Sequence, residues 1–140
     1  MVENPELPHS RLTDRILRCF YDVNRELGHG FSEAVLCRAL AIALDEAGMD
    51  VVAEARLEVS FRGRTVGKFD ADLIVDRTIL VEVKASAAIE SYAVGQTINY
   101  LKVAGGGVGL LLNFGRKPEF KRLVVGDPLD RLPRPDRRPA

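Results

Sequence analysis

The sequence predicts an α/β protein with one hydrophobic core. The chain has 140 residues, 46% of them hydrophobic, which is enough to bury one core but not two. Apolar residues recur at helical spacing near the start of the chain, and farther on they alternate with polar residues as in a β-strand. The two periodicities together indicate helices packed with a sheet.

Two helices are predicted ahead of the first strand. One spans about residues 10–27 and is broken by segment 28–30, which contains two glycines. The other spans about residues 32–47. Ser32 is a natural N-cap for it, and Gly48 ends it as a C-terminal glycine does.

Three strands follow in close succession. They are predicted at 51–61, 66–75 and 79–84, and the turn Arg62-Gly63-Arg64 joins the first two. The sequence then predicts a helix containing Gln96, a turn of three glycines at 105–107, a buried strand at 108–113 and a short strand near 120–125.

Alternation divides the side chains of the second and third strands between two faces. One face of the second strand is predicted to carry Phe69, Ala71, Leu73 and Val75. Its other face carries Lys68, Asp70, Asp72 and Ile74. In the third strand, one face carries Ile79, Val81 and Val83, and the other carries Leu80, Glu82 and Lys84.

Asp72 and Glu82 are predicted to face each other across a hairpin. The short polar turn 76–78 pivots near Arg77, which brings the two acids within one residue of register. Opposed side chains in such a pair come within roughly 5 Å at their Cβ atoms. Two carboxylates that close repel each other unless a cation lies between them or one is protonated.

Phosphodiester hydrolysis is the chemistry that this arrangement suits. A hard divalent ion takes oxygen ligands, polarises a phosphoryl oxygen and lowers the pKa of a bound water. Asp72 and Glu82 are candidate ligands, with the Val83 carbonyl as a third oxygen. Lys84, on the face of Glu82, can hold the attacking water or offset charge on the phosphate. The alternative is a solvated Glu-x-Lys pair on the outer face of a hairpin.

Three residues outside the hairpin are further candidates. Gln96 and Tyr100 are four positions apart and share a helical face, where they can bind phosphate or a base edge or orient a carboxylate. The alternative is an ordinary helix surface. Glu33 suits the dipole in the first turn of the second helix, and its functional alternative is a third acid that reaches the metal site.

The order of these motifs resembles the GxxExxY proteins of the PD-(D/E)XK nuclease superfamily. The resemblance covers about residues 12–125 and depends on Gly30-x-x-Glu33, Asp72, Glu82-x-Lys84, Gln96-x-x-x-Tyr100 and the segment Leu-Leu-Leu-Asn-Phe-Gly at 110–115. It implies a restriction-endonuclease-like core of αβββαβ order with an extra N-terminal helix. The central sheet is then mixed and flanked by helices.

The same resemblance implies roles for the candidate residues. Asp72 and Glu82 correspond to the metal-binding acids, Lys84 to the catalytic lysine, Glu33 to the acid on the preceding helix, and Gln96 and Tyr100 to the pair on the helix after the core strands. The implied cofactor is Mg²⁺, for which Mn²⁺ can substitute. In one departure, the tyrosine that gives the family its name is Leu36 here.

The predicted function is therefore a magnesium-dependent nuclease that hydrolyses DNA, or alternatively RNA, by attack of water on a metal-bound phosphate. The alternative is a catalytically inactive nuclease-fold module that binds nucleic acid or a protein partner, which Leu36, the small size and the formal net charge of zero favour. The sequence leaves the oligomeric state open, and a homodimer is a candidate by analogy, since a small nuclease often needs a second copy to cut both strands.

Charge and cysteine content bound the partners and the compartment. A net charge of zero argues against a general basic coat but allows a local groove. Arg62, Arg64 and the cations of 116–122 are candidates for phosphate contacts or an ordinary solvated surface. Two cysteines are too few for a disulfide framework, so a cytoplasmic location is expected. No signal peptide or membrane span is recognisable.

The predicted organisation has three parts. Residues 1–9 form a flexible leader, 10–125 form one nuclease-like domain, and 126–140 form a disordered tail rich in proline and arginine.

Overall fold

The structure, a computed structural model, describes residues 9–127. The predicted tail beyond 127 and the predicted leader before His9 lie outside the described residues. The elements are α1 (Ser10–Leu27), α2 (Glu33–Glu46), β1 (Val51–Phe61), β2 (Arg64–Val75), β3 (Ile79–Lys84), α3 (Ser91–Val103), β4 (Gly107–Asn113) and β5 (Glu119–Val125). Their order follows the sequence prediction, although β2 begins two residues earlier.

The five strands form one sheet in the order β1-β2-β3-β4-β5. Neighbouring strands are antiparallel except β3 and β4, which are parallel. The parallel pair follows from α3, because a parallel neighbour requires a crossover connection and the other strands are joined by short turns. The predicted mixed sheet with flanking helices is confirmed.

Two apolar clusters cover the two faces of the sheet. Helices α1 and α2 pack on one face, where residues such as Phe20 and Leu40 are fully buried against the strands. Helix α3 packs on the other face through Leu101 and Ala104. Gly109 of β4 allows this close approach, because an added Cβ would lie 3.0 Å from Leu101 Cδ1.

No helix within residues 9–127 combines the length and the apolar character needed to cross a membrane. Both thiols of the chain are free, Cys19 buried and Cys37 half-buried.

The β1–β2 hairpin changes faces at the level of Glu54 and Asp72. Leu73 and Val75 pack in the cluster under α1 and α2, whereas Phe69 and Ala71 pack in the cluster under α3. The prediction that these four side chains share one face is therefore wrong. The pairs on either side, Ala53 with Leu73 and Ala55 with Ala71, put Glu54 opposite Asp72, and Glu54 has a left-handed φ of 50°. This backbone conformation interrupts the alternation of an extended strand.

The turn between β2 and β3 lies where the sequence predicts it. Asp76 and Arg77 have φ angles of 52° and 54°, and the Thr78 amide donates to the Val75 carbonyl at 2.9 Å. Asp76 and Arg77 are the two central residues of this turn, and consecutive left-handed residues at these positions are typical of type I′. The hairpin loop itself has three residues, 76–78, between the paired Val75 and Ile79.

The β1–β2 hairpin extends well beyond the rest of the sheet. β2 pairs with β3 only from Leu73 to Val75, but with β1 as far as the pair of Phe61 and Arg64. Residues 58–68 are exposed or half-buried, and we call them the hairpin arm.

Candidate active site

A pocket of about 550 Å³ is lined by α2, by α3 and by the three strands β1, β2 and β3. It brings together all the sequence-predicted site residues, namely Glu33, Asp72, Glu82, Val83, Lys84, Gln96 and Tyr100. The roles of these residues in metal binding and catalysis remain predictions. Sequence reasoning did not assign seven further lining residues to the site, and those other than alanine are Cys37, Arg38, Glu54 and Asp70.

Asp72 and Glu82 are held by the backbone of the facing strand. The last ladder pair is Leu73 with Val81, so Asp72 and Glu82 occupy the next level. There the Asp72 amide donates to Glu82 Oε1 at 3.1 Å, and the Val83 amide donates to Asp72 Oδ2 at 2.8 Å. Each carboxylate thus takes the place of a ladder carbonyl, which fixes both acids where the ladder ends.

Burial makes these acids hard to ionise. Burial first, and then the nearby Asp72 carboxylate, raise the pKa of Glu82 to about 8, although the Asp72 amide and Lys84 act in the opposite direction. The pKa of Asp72 is also raised, chiefly by burial, and the Val83 amide and Lys84 lower it. Two buried carboxylates this close favour either a shared proton or a bound cation.

Lys84 is oriented by the helix on the far side of the pocket. Its Nζ donates to Gln96 Oε1 at 3.3 Å. One turn along α3, Tyr100 stacks on Phe69 with 3.8 Å between ring centroids and an interplanar angle of 11°. Burial raises the pKa of Tyr100, and the charge of Glu82 adds to the effect, so the phenol stays protonated and can donate a hydrogen bond.

A clamp centred on Asn113 fixes the chain just after Lys84. The fully buried Asn113 side chain accepts from the Ser86 amide at 2.9 Å and donates to the Ser86 carbonyl at 3.0 Å. The Phe114 amide donates to the Lys84 carbonyl at 2.8 Å. Gly115 completes the clamp, because an added Cβ would lie 2.7 Å from the Ser86 carbonyl oxygen. The predicted motif at 110–115 contains these residues, although the sequence did not indicate what Asn113 contacts.

Glu33 lies on the wall of the pocket at the start of α2. Ser32 is the N-cap, and its side chain accepts from the Val35 amide at 3.3 Å, as predicted. Glu33 is exposed, so it can complement the helix dipole and still face the pocket. Leu36, one turn later, is fully buried in the core under α1 and α2, where an apolar side chain is favoured.

Two of the residues that sequence reasoning missed are electrostatically coupled to the acids of the site. Glu54 faces Asp72 and raises its pKa. Cys37 has a pKa raised to about 12, chiefly by burial and then by Asp72 and Glu82, so its thiol stays neutral. An acid in an ordinary alternating strand gives no sequence signal for this position. The left-handed backbone conformation of Glu54 is visible only in the structure.

The donor set fits a hard divalent cation. Within residues 9–127, no group of three or more His, Cys, Asp and Glu side chains lies close enough to hold a metal by itself. Asp72 and Glu82 supply two carboxylate ligands, and the Val83 backbone carbonyl supplies a third oxygen. Mg²⁺ usually binds through one or two carboxylates and keeps several waters, so a complete protein cage is not needed.

The fold and the hairpin acids define a class of protein. The model of the PD-(D/E)XK nuclease superfamily matches residues 10–123, and the chain belongs to this superfamily. Its members are generally nucleases that use divalent metals, and the mixed sheet is the expected restriction-endonuclease-like core. No curated protein matches the sequence.

One similar solved structure is that of SSO0001, which is 20% identical with a TM-score of 0.48. The match covers 87% of this chain and 60% of that chain. This chain therefore corresponds to less than two thirds of the length of SSO0001.

Proposed function

We propose that this protein is a magnesium-dependent nuclease that hydrolyses phosphodiester bonds of DNA, with RNA as a second candidate substrate. The observation that carries the proposal is the pair of the half-buried Asp72 and the buried Glu82, held opposite each other on β2 and β3 with Lys84 in the same pocket. Membership of a superfamily of nucleases supports it. Mn²⁺ is expected to replace Mg²⁺, since both accept oxygen ligands.

The residues divide the chemistry among them. Asp72, Glu82 and the Val83 carbonyl would hold the metal, and Glu33, which lines the same pocket from α2, is a further candidate ligand. When bound, the metal supplies Lewis acidity at the phosphate and lowers the pKa of water. Lys84 holds the attacking water or donates to a phosphate oxygen that gains negative charge. Gln96 keeps the Lys84 ammonium in place through their 3.3 Å hydrogen bond, and Tyr100 offers a protonated phenol to the same pocket.

We also propose that the chain belongs to the GxxExxY group within the superfamily. Gly30, Glu33 and the later motifs support this, and Leu36 departs from it. Because Leu36 is buried in the core, its role in this chain is packing, and the departure leaves the acids and Lys84 of the pocket intact. A homodimer that cuts both strands of a duplex remains a prediction.

Cleavage assays test the proposal. Labelled single-stranded DNA, linear duplex, supercoiled circular DNA and RNA are incubated with Mg²⁺, with Mn²⁺ or with chelator. Wild type is compared with Glu82→Gln, which keeps a side-chain oxygen for the Asp72 amide, and with the exposed control Glu46→Gln. We expect metal-dependent cutting by wild type and the control, and none by Glu82→Gln.

A second candidate function is a nuclease-fold module that binds nucleic acid or protein without cutting. Leu36 at the position of the family's tyrosine, the small size and the formal net charge of zero favour it. Metal-independent binding of nucleic acid by both wild type and Glu82→Gln, with no cleavage by either folded protein, would replace the first proposal with this one.

A further inference from the structure

The pocket alone is poorly suited to attract a nucleic acid. Its lining contains two cationic side chains, Arg38 and Lys84, against five carboxylates, which are Glu33, Glu54, Asp70, Asp72 and Glu82. Even with a divalent ion present, the acidic surroundings offer a polyanion few favourable contacts. Positive charge elsewhere on the surface must therefore contribute to substrate affinity.

The hairpin arm has its charge concentrated at the tip. Near its base, Arg56 pairs with Asp70 at 3.5 Å and Lys68 pairs with Glu58 at 3.7 Å, so these cations are offset by acids. Arg62 and Arg64 flank the turn, and neither takes part in an ion pair in the part of the chain that the structure describes. The tip therefore carries two uncompensated guanidinium groups.

The tip also exposes apolar side chains beside these arginines. Phe61 is 59% exposed and Val66 is 63% exposed. The register shifts between Val59 and Ser60, which leaves Val66 as the unpaired extra residue of a β-bulge, and bulges re-aim the side chains they carry. The Arg62 guanidinium lies 4.9 Å from the centre of the Phe61 ring, so cation and ring form one unit.

We propose that the arm tip, residues 61–66, is a nucleic-acid-binding site that holds the substrate of the pocket, an inference that rests on the proposed nuclease function. Arg62 and Arg64 contact backbone phosphates, and Phe61 and Val66 contact a sugar or base edge in a groove. The charge of the tip is complementary to a polyanion, and a two-stranded ribbon has dimensions that a major groove admits.

The connection between tip and pocket supports this pairing of roles. Val66 and Asp72 belong to the same strand, six positions apart, which is about 20 Å at roughly 3.3 Å per residue. A helical turn of duplex spans about 34 Å, so one bound segment reaches both places within a single turn. The tip thus binds the nucleic-acid backbone at a distance from the acids of the pocket, which repel phosphate.

Salt-dependent binding tests the inference. Wild type, the double variant Arg62→Gln/Arg64→Gln and Phe61→Ser bind labelled duplex DNA, its single strand and the matching RNA, with Ca²⁺ as the divalent ion and gels to verify that each probe stays intact. The matched control is Arg11→Gln/Arg18→Gln, which removes the same charge from exposed positions of α1, a helix that does not line the pocket. Thermal melting verifies the fold of every variant.

The arm proposal predicts two different losses. The double arginine variant binds more weakly, and its slope of log affinity against log salt is smaller by about 2 than in wild type. Phe61→Ser loses at least about fivefold in affinity with the slope unchanged. The control matches wild type in both quantities.

Two results would overturn the inference, and they are distinguishable. Unchanged affinity and slope in the tip variants, with wild type that binds and cleaves, would refute the arm alone and leave its tip as a surface for a protein partner. Wild type that binds none of the three probes would refute the arm together with the proposed nuclease function.

Discussion

Asp72 and Glu82 bind the backbone of each other's strand. The Asp72 amide donates a hydrogen bond to the Glu82 carboxylate at 3.1 Å. The Asp72 carboxylate in turn accepts a hydrogen bond from the Val83 amide at 2.8 Å. Glu82 is only 4% exposed, so its charge is costly without a proton or a cation. The hairpin therefore holds two acids that destabilise the fold when both are ionised and that a cation would stabilise.

The first prediction concerns pH in the absence of metal. The pKa of Glu82 is raised from 4.5 to about 8, so between these values the folded state binds a proton that the unfolded chain does not. Raising the pH through this window therefore lowers the free energy of unfolding, by at most about 1.4 kcal/mol per pH unit. Urea unfolding in chelator at pH 5, 6.5 and 8 measures it. Glu82→Gln should lack this part of the dependence, and an identical slope in both proteins would contradict the assignment.

The second prediction concerns metal. Cations compete with protons for the two carboxylates, so Mg²⁺ should raise the melting temperature more at pH 8 than at pH 5.5. Differential scanning calorimetry of wild type with Mg²⁺ and with chelator measures the difference. The Asp72→Asn/Glu82→Gln variant should show no such increase. An equal increase in that variant would place the bound ion elsewhere.

The third prediction concerns Lys84. Lys84→Gln removes the ammonium group that lies on the strand of Glu82 and should lower the cleavage rate at saturating substrate roughly a hundredfold or more. Gln96→Ala removes only the oxygen that Lys84 contacts at 3.3 Å, so a smaller loss, about tenfold, is expected. Single-turnover cleavage measures both variants. Lys102→Gln, an exposed change on α3, serves as the control, and a Lys84→Gln enzyme as fast as this control would refute the role.

The fourth prediction concerns the Asn113 clamp. Asn113→Ala removes two hydrogen bonds to the backbone of the half-buried Ser86, so the free energy of unfolding should fall by roughly 1–3 kcal/mol. Denaturant unfolding measures the loss, with the exposed Asn99→Ala as control. Equal stability of the two variants would mean that the clamp contributes nothing.

The fifth prediction concerns the turn before β3. Arg77 has a φ of 54°, a conformation that glycine adopts without the steric cost of a Cβ. Arg77→Gly should therefore raise the free energy of unfolding by about 0.5–1 kcal/mol, even after the larger entropy of the unfolded glycine chain is counted. Arg77→Ala keeps the Cβ and should bring no such gain. Urea unfolding of both variants separates the backbone effect from loss of the arginine side chain.

Local patterns were enough to predict the elements and the pairing of the acids. Alternation identified β2 and β3, the polar turn at 76–78 set their register, and the glycines at 28, 30 and 48 marked the helix ends. These features depend on residues close together in sequence, where steric preference and periodicity act directly. The positions of Asp72, Glu82 and Lys84 in one pocket follow from the same short-range rules.

Features that depend on distant packing were not predictable in this way. Strict alternation predicts Phe69 on the face of Leu73, and the left-handed Glu54 on the neighbouring strand shows where alternation fails. Arg38 and Cys37 line the pocket only because α2 packs across the sheet next to Asp72. The hydrogen bond between Asn113 and Ser86 joins residues 27 positions apart, and no periodicity in the sequence predicts such a contact.

The simple strand order has a consequence for folding. Each strand pairs with the strand next to it in the sequence, and only the β3–β4 pair needs a long crossover. Asp72 and Glu82 are ten positions apart, so the entropy lost on bringing them together is small, and contacts of such short range speed folding. The contacts between the two acids therefore lie within the β2–β3 hairpin and do not involve either helix face. Divalent ions present when this hairpin closes should accelerate folding as well as stabilise its product.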